Sequence, residues 1–246
     1  MTAILNQHEN YLQADQAYGF PLLIKNLLSR AKVVSGNKKI HYADKTSYTY
    51  HEFFKRVNRL ANVLKGLNLQ KGDVIAVMDW DTHRYLECYF AIPMCGYILQ
   101  TVNVRLSEDK VLYTINHAKP KALLLNSEFS PMIKSHTQDA PSVEHVIWLD
   151  DNNTPMPPYA QGEYEAMLAQ ASDEYEFEDF DENTIATTFY TSGTTGNPKG
   201  VFFSHRQIVL HTLVVAIGCA LNVEGQGVRY SDVYMPMTPM FHVHAW

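Results

Sequence analysis

Between Val74 and Leu149 the chain alternates strand-like apolar runs with helix-like segments, and this rhythm restricts the fold more than any other feature. The runs are Val74 to Met78, Tyr97 to Val102, Ala122 to Leu125 and Val143 to Leu149. Short apolar runs without polar alternation need cover on both faces, which is the habit of parallel strands joined by crossover helices. The expected architecture is a doubly wound α/β unit, a mostly parallel sheet flanked by helices. Ahead of it, Thr49 with Glu52 reads as a capping box before Phe53, Val57, Leu60 and Leu64, an amphipathic helix that ends near Gly66. The spacing of apolar residues from Phe20 to Leu28 reads as a core helix in preference to a homodimer contact.

The composition changes after Asp150. Pro155-Met156-Pro157-Pro158 and the acidic run Asp173 to Glu182 bracket one short helical candidate, Tyr164 to Ala171. The expected division is an α/β subdomain over residues 1–150, a connector over 151–183 and the start of a second subdomain over 184–246. The acidic run could serve a metal or a cationic partner, but Tyr175, Phe177 and Phe180 interrupt it, so it reads as a solvated connector.

With 246 residues, 46% of them hydrophobic, the chain has the material for a sizeable core. A net charge of −6, with no basic cluster longer than Lys38-Lys39, argues against nucleic acid as a partner. Cys88, Cys95 and Cys219 have no Cys-x-x-Cys spacing, which favours buried thiols in a reducing compartment. The first residues lack the pattern of a secretory signal. The apolar runs Tyr89 to Val102 and Ile208 to Leu221 are too short for a bilayer and are interrupted by Pro93 and Gly96 or by His211 and Gly218. Both are expected to be buried, and the compartment is expected to be the cytoplasm.

Tyr190-Thr191-Ser192-Gly193-Thr194-Thr195-Gly196-Asn197-Pro198-Lys199-Gly200 carries the chemistry. It holds three glycines, four Ser/Thr hydroxyls and one lysine. Glycine lets a ligand approach the backbone, so N–H groups can converge on anionic oxygens while hydroxyls and an ammonium add donors. A Walker A loop is excluded, because Pro198 precedes the lysine and Gly200 follows it. The flanks, Thr184 to Tyr190 and Val201 to Phe203, are both strand-like, so the loop joins two strands of a hairpin. A helix follows only at Ser204, a capping box with Gln207, and its body is Ile208 to Leu221. A plain Gly/Thr turn is the bland alternative to a phosphate cradle.

That stretch resembles the signature motif of the adenylate-forming superfamily, which includes acyl-CoA synthetases, luciferases and peptide synthetase adenylation domains. Asp81-Thr82-His83-Arg84-Tyr85, Asn103-Val104-Arg105-Leu106-Ser107 and Ile115-Asn116-His117-Ala118 are similar to amino-terminal segments of fatty acyl-CoA synthetases. Pro239-Met240-Phe241-His242-Val243-His244-Ala245-Trp246 resembles the next motif, beside the acyl pocket. The resemblance implies a two-step ligase. A fatty acid and ATP give acyl-AMP and pyrophosphate, and coenzyme A then displaces AMP. It implies phosphate contacts from Thr191, Ser192, Gly193, Thr194, Thr195, Gly196 and Lys199, with Thr191 touching Mg²⁺. Such a loop, exposed and rich in glycine, is expected to order around the nucleotide.

His242 and His244 share one face if the segment is extended, a spacing that metal sites use, but two ligands make no site. Through the resemblance His242 lies near the acyl carboxylate and the nucleotide. Trp246 reads as a core aromatic, while the resemblance implies instead the residue that closes a fatty-acid tunnel in some long-chain acyl-CoA synthetases. The chain looks like the incomplete amino-terminal portion of a large domain from a protein about twice as long. Motifs for adenine and ribose, a Mg²⁺-holding glutamate and a catalytic lysine are absent from it, so the fragment alone is expected to be inactive. Three other readings stay open: an acyl-AMP ligase that loads a carrier protein, a non-catalytic nucleotide-binding module, and an unrelated phosphotransferase that releases ADP.

Overall fold

The four apolar runs form the centre of a seven-stranded sheet. In the computed structural model, which describes residues 17, 19–191, 196–221 and 227–242, the chain opens with α1 (Ile24–Val34), β1 (Lys39–Tyr42), β2 (Thr46–Thr49) and α2 (Tyr50–Gly66). The alternating unit follows as β3 (Val74–Met78), α3 (His83–Met94), β4 (Ile98–Thr101), α4 (Glu108–Ala118) and β5 (Ala122–Asn126). A 3-10 turn over Ser127–Met132, α5 (His136–Asp139), β6 (His145–Leu149), β7 (Gly162–Glu163) and α6 (Tyr164–Gln170) complete it. Then come β8 (Ile185–Thr191), β9 (Lys199–Ser204) and α7 (His205–Ala220).

The strand order is β7-β6-β5-β3-β4-β8-β9, and every neighbouring pair is parallel except the hairpin β8–β9. The segment from residue 184 onward therefore adds its two strands to the same sheet. β5 is buried at all five positions, and Ile75, Val77, Leu99, Leu124 and Ile147 are fully enclosed. Each such side chain contributes on the order of 1.5–3 kcal/mol of burial. The expected core helix begins at Ile24, where Leu23 and Ile24 are buried while Phe20 stays exposed.

Helix α2 starts where the sequence predicts. Thr49 Oγ1 accepts the Glu52 N–H at 3.2 Å, but the Glu52 carboxylate turns to Arg59, so only the first half of the expected reciprocal box is made. At α7 both halves form between Ser204 and Gln207. The acidic connector is solvated yet tied down along its length. Asp173 meets Lys55 at 3.1 Å, Asp179 meets Lys25 at 2.8 Å, Glu178 meets Lys71, and Glu182 accepts the Leu22 N–H at 2.7 Å.

The expectation for residues 208–221 is overturned. Only His205, Ile208 and Val209 of α7 are buried, whereas Leu213, Val214, Ile217 and Leu221 are exposed. The helix touches the body chiefly through its first turn. His205 Nδ1 accepts the Ile24 N–H at 3.3 Å, its Nε2 points toward the Pro93 carbonyl without full hydrogen-bond geometry, and the Phe180 ring stands edge-on 5.0 Å away. Burial holds the imidazole down to about 4, partly offset by that carbonyl.

Candidate functional site

In open α/β sheets ligands bind beyond the carboxyl ends of the strands, at the point where strand order reverses. Here β4 lies on one side of β3 and β5 on the other, so the reversal point is between β3 and β5. That crevice is closed by the protein itself. Asp79, fully buried, accepts hydrogen bonds from Asn126 Nδ2 at 2.7 Å, the Trp80 N–H at 2.9 Å and the Thr82 hydroxyl. Arg84, also buried, stands 3.9 Å from the same carboxylate and reaches Asp151 at 2.8 Å. Beside it Arg56 forks between Glu87 and Glu165, which also takes a 3.1 Å contact from His83. Burial would raise the Glu165 carboxyl, but His83 and Arg56 outweigh it and hold it down to about 2.

The open part of the edge lies beyond β4 and β8. Strand β8 pairs with β9 in the register Thr191↔Lys199 and Tyr190↔Gly200, so the strand ends on either side of the glycine-rich segment are tied to each other. The predicted hairpin is thus present, with both flanks in place. Of the candidate phosphate residues, Thr191 ends β8 with its hydroxyl 3.5 Å from the Lys199 carbonyl, and Lys199 begins β9; both are exposed. Gly196 has φ +151°, a backbone region that side chains strain to enter. Ser192, Gly193, Thr194 and Thr195 lie outside the described residues.

The base of the hairpin is anchored by contacts that the sequence reading did not assign. Tyr190 packs so closely over Gly200 that a Cβ there would sit 3.4 Å from its ring. The Tyr190 hydroxyl lies 2.8 Å from Nδ1 of His117, with the two rings edge-on at 5.7 Å. Burial, then the nearby Tyr113, pushes the Tyr190 phenol up to about 12, so it stays protonated. His117 belongs to the segment 115–118 quoted above for its resemblance, and that was the only signal of its place here.

The second candidate segment reaches the same edge from the far end of the chain. A turn over 239–242 is closed by the His242 N–H on the Pro239 carbonyl at 2.9 Å. Its Met240 N–H donates to Asp81 Oδ1 at 2.6 Å, the Tyr89 hydroxyl donates to the Met240 carbonyl, and the Arg105 guanidinium stands 5.7 Å from the Phe241 ring. Met240 and Phe241 are buried while His242 is exposed. His244 and Trp246 lie outside the described residues. The three motif-like segments 81–85, 103–107 and 115–118, remote in sequence, therefore supply the supports of both candidate elements.

Chemically, the edge offers an ammonium, a hydroxyl and glycine backbone, a donor set suited to phosphate oxygens. Among the described residues no group of three or more His, Cys, Asp or Glu is arranged to hold a metal. Thr191 Oγ1 is a neutral oxygen, so it fits Mg²⁺ only jointly with phosphate oxygens of a bound nucleotide.

Residues 29–246 match the family model described as AMP-binding enzyme. The chain is 34% identical over 231 residues to a medium-chain-fatty-acid–CoA ligase of Ectopseudomonas oleovorans, covering 92% of this chain and 41% of that protein. It is also 34% identical over 225 residues to a long-chain-fatty-acid–CoA ligase of Thermus thermophilus, covering 90% and 39%. Among solved structures, ATP-bound MatB from Rhodopseudomonas palustris superposes with a TM-score of 0.75 at 24% identity, covering 92% of this chain and 42% of that one. A fatty acyl CoA synthetase of Mycobacterium tuberculosis gives 0.72 at 20%, covering 91% and 41%. The chain spans about two fifths of the length of the curated relatives it matches.

Proposed function

Since the chain belongs to the AMP-binding enzyme family, we propose that it supplies the nucleotide-phosphate cradle of an ATP-dependent fatty acid–CoA ligase. One observation carries the reading: Thr191, at the carboxyl end of β8, and Lys199, at the start of β9, are paired and exposed on either side of the glycine-rich segment. In the first step a carboxylate oxygen attacks the α-phosphorus of ATP, the bond to the bridging oxygen breaks, and pyrophosphate leaves. In the second the sulfur of coenzyme A attacks the acyl carbon, AMP leaves, and the thiol proton goes to solvent.

The loop residues Thr191, Ser192, Gly193, Thr194, Thr195, Gly196 and Lys199 hold the β- and γ-phosphates in this reading. Negative charge grows on the departing pyrophosphate, and donors fixed in advance against it lower the barrier. Thr191 would help to hold Mg²⁺ bound with the nucleotide, and the ion would supply positive charge at the same oxygens. His242 and Trp246 line the acyl and nucleotide pocket. Cys88, Cys95 and Cys219 are unpaired, which suits a reducing compartment, and we assign the activity to the cytoplasm. No helix among the described residues is long and apolar enough to cross a membrane.

The test is product analysis of the natural polypeptide that carries this sequence, with the 246-residue chain beside it. Each receives MgATP and carboxylates from acetate to palmitate, with and without coenzyme A. AMP and pyrophosphate formed only with fatty acids, and faster turnover on adding coenzyme A, are the expected result. Turnover that needs a carrier protein instead would move the acceptor, and the absence of carboxylate-dependent AMP would overturn the reading. Lys199→Ala is expected to raise KM for ATP about tenfold, the loss of one charge-assisted hydrogen bond.

A further inference from the structure

The turn over 239–242 is gripped more firmly than packing alone requires. Thr82 caps α3 by accepting the Tyr85 N–H at 3.2 Å, which leaves Asp81, an exposed residue, just ahead of the helix. That carboxylate accepts the Met240 N–H at 2.6 Å. Two turns along the same helix, Tyr89, which is 1% exposed, donates its hydroxyl to the carbonyl of the same residue. Both peptide planes flanking one Cα are therefore fixed, one from the residue just ahead of the α3 cap and one from within the helix. Because the peptide bond is planar, this leaves the chain one direction in which to continue toward Phe241 and His242. Arg105 over the Phe241 ring adds a third hold from a second element.

The placement of these holds is specific. Asp81 follows β3, Arg105 follows β4 and Thr191 ends β8, and these three strands are consecutive and parallel in the sheet. The clamp thus ties the turn to the carboxyl edge at which Thr191 ends β8. His242, which closes the turn, is exposed, while the gripped residues Met240 and Phe241 and the anchor Tyr89 are buried.

We propose that Asp81, Tyr89 and Arg105 are positioning residues for the carboxylic acid substrate, acting through the 239–242 turn and not by touching substrate themselves. The proposal rests on the ligase reading above for its kinetic consequence, and on the geometry alone for the clamp. It predicts that the acceptor oxygen at position 81 matters and its charge does not. An Asp81→Asn variant keeps a side-chain oxygen for the Met240 N–H, whereas Asp81→Ala has none.

The test joins hydrogen exchange of this chain to kinetics of the natural polypeptide. In Asp81→Ala and in Tyr89→Phe, exchange of the Met240 and His242 amides is expected to accelerate about tenfold, the loss of roughly one net hydrogen bond, while amides of β3 to β5 keep their protection. Asp81→Asn is expected to exchange like the parent chain. In the kinetics, Asp81→Ala raises KM for the carboxylic acid about tenfold with KM for ATP within about twofold, and Asp81→Asn restores it. A general folding defect would instead move both constants, or kcat alone, and would not be rescued by Asn. Unchanged exchange at Met240 in Asp81→Ala overturns the clamp. Accelerated exchange with both KM values unmoved overturns its role in positioning. If the unmodified polypeptide forms no carboxylate-dependent AMP, the ligase reading and with it the positioning role fall, and exchange still decides the clamp.

Discussion

Helices α3 and α7 are both apolar, and their fates differ. In α3, nine of twelve residues are buried, and even its charged members Arg84 and Glu87 are enclosed with partners. In α7, the more apolar of the two, the buried residues are His205, Ile208 and Val209, all in its first turn or just beyond. The same contrast separates the β3 to β6 unit from residues 228–237, where Val233, Tyr234, Met235 and Met237 are at least 71% exposed. An apolar sequence creates a demand for burial, but neighbouring elements supply it. Helix α3 has α1, α2 and the sheet against it, whereas α7 is fastened at one end.

The comparison can be broken or sharpened by substitution. The largest effect is expected in the enclosed unit: Leu124→Ala, at a fully buried position of β5, should cost about 2–5 kcal/mol, read by urea denaturation. A loss below about 1 kcal/mol would show that the sheet is less tightly packed than its burial implies.

Next comes the anchor of α7. His205 is held neutral by burial, with its imidazole lowered from 6.5 to about 4. The unfolded chain therefore binds more protons over that interval, so the contribution is fully present above pH 6.5 and is lost as pH falls toward 4. The loss should approach roughly 3 kcal/mol, at about 1.4 kcal/mol per unit. Denaturation curves at pH 7, 5.5 and 4.5 should show this slope in the parent chain and a flatter one in His205→Gln. Equal slopes would show that α7 is not held through this ring.

A smaller effect belongs to the hairpin base, where His117→Ala removes the partner of the Tyr190 hydroxyl. About 0.5–1.5 kcal/mol is expected, and Tyr190→Phe should cost the same, with no further loss when the two are combined. Additive losses would dissolve the pair. The smallest effect is expected on the outer face of α7, where Val214 is 68% exposed and Val214→Ser should stay within about 0.5 kcal/mol. A loss above about 1 kcal/mol there would mean that this face is covered in solution, and the contrast with α3 would disappear.

Much of the framework was legible because its signals are local. β3 was bounded to the residue, β4 to β6 to within two, and the Ser204 cap and the hairpin flanks were read from hydroxyl spacing and the shift in periodicity. Burial of 208–221 was misread because a run of apolar residues reports hydropathy and not neighbours. The reciprocal box at Thr49 failed by half because Arg59, two turns farther on, competes for the Glu52 carboxylate. At the candidate site, Thr191, Gly196 and Lys199 were named from residue type, since phosphate chemistry restricts the choices. Asp81 and His117 had only the resemblance of their segments and Tyr89 had no signal, because a side chain that holds another group looks like any other until its partner is known.

What the sequence determined by itself was the alternation that demands a two-sided parallel sheet, and the glycine, hydroxyl and lysine content of one hairpin loop. Both follow from properties that each residue carries wherever it sits: hydropathy, φ preference and hydrogen-bonding capacity. The tertiary structure alone decided that Asp79 and Asn126 close the crevice at the reversal point, that His117 braces Tyr190, and that Asp81 and Tyr89 seize Met240 across more than 150 residues. Those pairings depend on strand order and register, which bring distant positions to one edge of the sheet, and no local property of a side chain encodes its distance to another.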